Sequence, residues 1–205
     1  HYCMDLLEGM YTRRSVRQFT AQPVERERLL EIIKAGTWAP SGLNNQPWRF
    51  VIVQAAAVRN HLAKLTKYHF VIEGAPACVA VFIDKSVMYH GVKDHQAIGA
   101  CIQNMLLAAH ALGLGAVWLG EILKNAEGVR TLLGLPEQME LMAVVALGRP
   151  AGKSHTSTRK AVAEVLLKEL YEFRLAGLGG ALGGGRLAAQ RTGKTRNDLV
   201  EYLGH

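Results

Sequence analysis

Apolar positions at helical spacing mark the first long element. Leu29, Leu30, Ile32 and Ile33 sit between Glu and Arg side chains, predicting an amphipathic helix over 24–38 that runs into Pro40. Asp5 predicts the cap of a shorter helix ending near Tyr11. Runs rich in Val, Phe and Ile predict strands at 49–54, 77–84 and 140–148, and Gly113 and Gly115 open another that ends at Leu119. Helices are expected at 55–66, 125–133 and 157–170. Between 94 and 112 the chain is apolar nearly all round, with alanine at 97, 100, 108, 109 and 111. A helix without a wet face must be covered on several sides, either by the core or by a second subunit. Strands and helices alternate with unequal connections, which points to an α+β helix–sheet–helix sandwich.

At 205 residues with 49% hydrophobic content, the chain is long enough for one full core. One domain is expected over 1–170, followed by a C-terminal extension over 171–205 whose stretch Gly177-Leu178-Gly179-Gly180-Ala181-Leu182-Gly183-Gly184-Gly185 reads as a low-complexity hinge. The formal net charge of +7 raises a nucleic-acid reading. Much of it gathers late, at Lys153, Arg159, Lys160 and Lys168 and then at Arg186, Arg191, Lys194 and Arg196, with no aromatic-interleaved basic run, so a nucleic-acid partner is not expected. Cys3, Cys78 and Cys101 are an odd number without C-x-x-C spacing, which suggests reduced thiols in a cytoplasmic protein. No signal peptide and no membrane span are expected. His1, Tyr2 and Cys3 are either native or a vector remnant. His90, His95 and His110 lack metal-ligand spacing, so no metal is expected, and Asp94 reads as a helix cap.

The chemistry concentrates in Ala39-Pro40-Ser41-Gly42-Leu43-Asn44-Asn45-Gln46-Pro47-Trp48, which packs turn-forming residues and amides ahead of an apolar strand. Gly42 and Asn44-Asn45 permit a left-handed backbone, Pro47 fixes the exit, and Trp48 is expected in the core. Upstream lies Arg13-Arg14-Ser15-Val16-Arg17-Gln18-Phe19. Downstream lie Gly113-Leu114-Gly115-Ala116-Val117-Trp118-Leu119-Gly120-Glu121 and Leu147-Gly148-Arg149-Pro150. Arg13, Arg17 and Arg149 have no acidic neighbours in sequence and together form a candidate anion site. On the motif alone they read equally as solvated surface arginines.

In that order the four segments resemble the nitroreductase family of FMN-dependent oxidoreductases over roughly residues 10 to 150. The resemblance implies a three-layer α/β/α sandwich around a mixed, mostly antiparallel sheet, built as an intertwined homodimer. It implies an enzyme taking hydride from NAD(P)H onto FMN N5 and passing electrons to a nitroaromatic, quinone or similar conjugated acceptor by a ping-pong cycle. A flavoprotein of the same fold with another redox role, a dehydrogenase or a flavin-consuming enzyme, is the alternative. By resemblance, Arg13 and Arg149, with Arg14 beside them, hold the FMN phosphate, Ser15 the ribityl chain and Arg17 the pyrimidine edge of the ring. A cation at that edge favours the two-electron reduced flavin. Pro40, Ser41, Gly42 and Asn44 form the flavin-facing loop contributed by the other subunit, and Leu119, Gly120 and Glu121 lie near N5. No protein acid or base is assigned as catalytic. The family habit of reaching across the dimer with the C-terminus implies an arm at 166–174 docking on the partner.

Overall fold

The computed structural model describes residues 4–152 and 156–170. Residues up to 158 form one unit and those from 159 a second. In the first unit the helices are α1 (Leu6–Thr12), α2 (Arg26–Thr37), α3 (Ala56–Ala63), α4 (His69–Gly74), α5 (Gly91–Ala111) and α6 (Ala126–Leu132). The strands are β1 (Trp48–Val53), β2 (Ala77–Asp84), β3 (Gly115–Leu119) and β4 (Met139–Gly148).

The strands form one sheet in the order β1-β2-β4-β3, every pair antiparallel. An isolated bridge between Ser15 and Ala116 adds a parallel pairing at the β3 edge. Because β2 and β4 lie in the middle, β2 is buried at all eight positions, and its side chains divide by the period of two between the faces. Val79, Val81 and Ile83 join Ala143, Val145 and Leu147 under α2 and α5. Cys78, Ala80 and Phe82 join Val144 and Ala146 against Leu62, Ile72 and Val129 of α3, α4 and α6. This is the expected three-layer sandwich, and Trp48, 5% exposed, is in its core.

Several elements depart from the sequence reading. The helix expected over 55–66 stops at Ala63, and a turn at 64–68 leads into α4. Helix α5 starts at Gly91, with His90 as its N-cap. Asp94 is therefore not the cap: it lies inside the first turn, fully buried. In the second unit, the helix expected over 157–170 is reduced to one turn, α7 (Val162–Val165), held by the Glu164 carboxylate accepting from the Ala161 N–H. Val162, Val165, Leu166 and Leu170 are exposed, and a short helix that buries no face lacks the packing that would sustain it. The glycine hinge and residues 171–174 of the expected arm lie outside the described residues.

Candidate functional site

The arginine motif is laid along the edge of the sheet. Val16 N–H donates to the Ala116 carbonyl at 3.0 Å, Thr20 N–H to the Arg149 carbonyl at 2.9 Å, and Ala151 N–H to the Gln18 carbonyl at 3.0 Å. Segment 15–20 is thus stitched to the start of β3 and the end of β4, and three motifs far apart in sequence become neighbours. Gly115 makes this possible, since a Cβ there would lie 2.7 Å from the Val16 side chain. At the base of the segment a cleft of about 190 Å³ is lined by Arg13, Arg14, His110, Gly113, Gly115 and Pro150, among others.

The arginines differ in their surroundings. Arg14 curls back, its Nη1 donating to the carbonyls of Tyr11 at 2.7 Å and Arg13 at 2.8 Å, while Arg17 is exposed. Arg149 does not itself line that cleft, but its neighbour Pro150 does. Although no acid is near it in sequence, the fold brings Glu25 to it, with Nη2 3.7 Å from Oε1. Its Nε is buried without a hydrogen-bond partner. A buried, unsatisfied guanidinium N–H is costly and suits an acceptor arriving from outside the chain.

The Pro40–Gln46 loop is the most strained backbone of the described chain. Leu43, Asn44 and Gln46 have φ of 53°, 53° and 47°, a region non-glycine residues enter only at a cost. Gly42 itself is not left-handed and Asn45 is helical in φ and ψ, so the left-handed positions are not all those read from the sequence. Gly42 instead leaves room for the Tyr89 side chain, whose hydroxyl end an added Cβ would displace. The loop is pinned from beneath by a pairing that sequence reasoning missed. Asn45 Nδ2 donates to Asp94 Oδ1 at 2.7 Å and to the Val87 carbonyl at 3.1 Å, and the backbone N–H groups of Tyr89 and His90 donate to Asp94 Oδ2 at 3.0 and 2.8 Å. Both partners of Nδ2 are pure acceptors, which fixes the orientation of the amide. Burial pushes the Asp94 carboxyl up, but the hydrogen bonds from His90, Asn45 and Tyr89 outweigh it and hold its pKa below the usual range. Ser41 Oγ accepts from the Gln46 N–H at 3.1 Å, closing the loop. A cleft of about 510 Å³ opens between Pro40, Ser41, Gly42 and the start of α5, where it meets Tyr89, Lys93 and Gln96.

Leu119, buried, ends β3, and Gly120 turns the chain into a 3₁₀ segment at Glu121–Asn125. The Glu121 carboxylate is occupied: Oε2 accepts from Thr66 Oγ1 at 2.7 Å and the Lys67 N–H at 3.1 Å, and Lys124 pairs with Oε1. Hydrogen bonds from Lys124, Thr66 and Lys67 lower its pKa to about 2. A carboxylate so held anchors the 64–68 turn and is poorly suited to proton transfer near neutral pH. His110, Asn45, Tyr89 and Lys93 are the residues that sequence reasoning did not assign to the site. Only Asn45, inside the motif, carried a local signal.

The model of the nitroreductase family matches this chain over residues 10–82 and 64–149. The chain belongs to the nitroreductase family. A Methanothermobacter thermautotrophicus relative assigned as an NADH dehydrogenase/NAD(P)H nitroreductase is 35% identical over 150 residues, covering 72% of this chain and 78% of its own length. The NADPH-flavin oxidoreductase of Vibrio harveyi is 32% identical, covering 81% of this chain and 74% of its own. The crystal structure of a Desulfovibrio desulfuricans protein assigned as a nitroreductase, in complex with FMN, is 45% identical and superposes with a TM-score of 0.78, covering 82% of this chain and 99% of that one. No helix among the described residues is long and apolar enough to cross a membrane.

Proposed function

We propose that this chain is an FMN-dependent oxidoreductase that takes electrons from NAD(P)H and passes them to a nitroaromatic, quinone or similar conjugated acceptor. The observation that carries the reading is the assembly of Arg13, Ser15, Arg17, Arg149 and the Leu119–Gly120 turn along one sheet edge, beside a cationic cleft and a guanidinium N–H without a partner. These residues fit a phosphorylated flavin. Arg13 and Arg149 hold the phosphate, Arg14 closes the turn beside them, Ser15 binds the ribityl chain and Arg17 places a positive charge at the ring's pyrimidine edge. FMN, when bound, supplies two-electron redox chemistry at N5. The protein's share is binding, orientation and charge, with the Gly120 backbone free of a side chain where the ring approaches. The FMN-bound relative and the NADPH-flavin oxidoreductase support the cofactor and the electron donor. The latter's name also keeps open a variant of the reading in which free flavin is the acceptor.

The enzyme acts as a homodimer. The two clefts meet α5 on different faces: the loop cleft at Lys93, Gln96, Ala97 and Ala100, the arginine cleft at Leu106 and His110. At 100° per residue these sets point roughly a third of a turn apart, so a loop supplied by a second copy, with the arginines of the first, encloses the ring. Lys93, Gln96, Ala100, Asn104, Leu107 and Ala111 repeat at three- and four-residue spacing down one face of α5, which carries the loop cleft above a second, apolar cleft of about 350 Å³ that includes Trp38. Trp38 is 80% exposed, Leu43 86% and Tyr11 71%, more apolar surface than a lone chain usually leaves wet. Buried Cys78 and Cys101, whose thiols burial pushes up to about 12, are inert and suit a cytoplasmic protein.

The absorbance spectrum of the purified protein tests the cofactor. A yellow protein with flavin maxima that NAD(P)H bleaches, and that an added quinone or nitroaromatic restores, is the expected result. A colourless protein that FMN does not reconstitute would sink the reading.

A further inference from the structure

The cleft at the base of the arginine segment is lined by three ionisable groups, Arg13, Arg14 and His110, all of them bases. His110 comes from the last turn of α5 and has no place in the reading above. Its tautomer follows from its neighbour. Thr12 has one hydroxyl proton, and the Glu8 carbonyl, 2.7 Å away, can only accept it. The contact of 2.9 Å between Thr12 Oγ1 and His110 Nε2 is therefore a donation from the ring, which puts the proton of the neutral imidazole on Nε2 and leaves Nδ1 bare.

We propose that His110 belongs to the flavin phosphate site, and that seating the phosphate in this cleft adds a proton at His110 Nδ1, so that the phosphomonoester is held by the Arg13 and Arg149 guanidiniums and an imidazolium. The inference rests on the FMN reading. The surroundings set its sign. Burial and the positive charges of Arg13 and Arg14 lower the His110 pKa, with Glu8 on α1 acting weakly the other way. Arg28 on α2, which donates to the Leu112 carbonyl just beyond the end of α5, is paired with Glu25. A phosphate dianion entering the cleft opposes those cations, so the imidazole gains proton affinity on binding. Each unit of pKa rise strengthens FMN binding tenfold at pH values below both pKa values of the imidazole. Above the pKa of the bound form the ring is neutral in both states and the contribution vanishes. The phosphate titrates near 6 and responds with the opposite sign, since guanidiniums favour the dianion. Its effect is common to wild type and variants and cancels in their ratio.

The test is equilibrium release of FMN from the diluted holoenzyme, followed by flavin fluorescence from pH 5.5 to 8.5, for wild type and His110→Gln. The expected ratio of variant to wild-type Kd is about tenfold at pH 6, falls to near unity by pH 8.5, and is flat and near unity throughout when riboflavin replaces FMN. A ratio independent of pH, or the same dependence with riboflavin, overturns the proposal. Should His110→Gln fold poorly, NMR titration of the wild-type His110 ring decides: its pKa must be higher with FMN bound than with riboflavin bound. Wild-type protein that binds no flavin would instead strike at the FMN reading itself.

Discussion

On the proposed roles, Arg13 at the flavin phosphate and Arg17 at the ring edge would act on different quantities, although both are arginines of one motif. Arg13→Ala is expected to weaken FMN binding by about 2–3 kcal/mol, because it removes a charge-assisted partner from a largely desolvated dianion. Dilution of the holoenzyme monitored by fluorescence measures it. Arg17, exposed in the isolated chain, is expected to matter to the reduced ring. Arg17→Ala should lower the flavin reduction potential, read by dye equilibration, while FMN retention changes much less. Equal losses of flavin in the two variants with an unchanged potential would refute the division of roles. At this scale the sequence was informative about which segments hold the candidate residues, but it read Gly42 as a left-handed position where the fold uses it to leave room for Tyr89. It was silent where function depends on distant partners. Nothing near Arg149 foretold Glu25, and nothing near Glu121 foretold that Thr66 and Lys67 would occupy its carboxylate.

Between elements, the decisive contact is the pinning of the Pro40–Gln46 loop to the start of α5. Asp94 was legible as a residue of a helix N-terminus but not in its job. That job is to bind the backbone ahead of the helix and Asn45, 49 residues away, a pairing no local pattern encodes. The same contact gives a pH-dependent prediction. Since the folded Asp94 pKa lies below its unfolded value near 3.9, wild type keeps this contribution at neutral pH and loses it as pH falls below about 4, through the folded pKa. Asn45→Ala should cost about 1–3 kcal/mol at pH 7, with two acceptors left to find other donors. Asn45→Asp should cost more than Asn45→Ala at pH 7, since two carboxylates then share the site. Part of that loss should return toward pH 5, where one of them takes up a shared proton. Urea unfolding at the two pH values measures both. A variant equally destabilised at each pH would show that Asp94 does not feel the charge at position 45.

For the whole molecule, the layer order, the four strands and the two long helices were legible because burial periodicity is a property of the sequence itself. The helix expected over 157–170 was not: one turn forms there among the described residues, since a short helix needs a surface to pack on. The same logic applies to α5. Its sequence is apolar enough to demand cover on several sides, yet the single chain covers it with α2 and the sheet and leaves the stripe from Lys93 to Ala111 partly bare. If a second copy covers that stripe and supplies the Pro40–Asn44 loop, assembly and flavin retention must fail together. Leu107→Glu places a carboxylate in the apolar cleft beside Ala108 and Trp38 while touching neither the arginines nor the loop. Its expected phenotype is a monomer in sedimentation that has lost most of its FMN at micromolar protein, with secondary structure by circular dichroism unchanged and flavin partly regained at high protein concentration, because binding and dimerisation are then linked by mass action. A Leu107→Glu protein that sediments as a monomer and still holds FMN as tightly as wild type would show that one chain completes the site, and the loop would have to be reassigned to its own subunit.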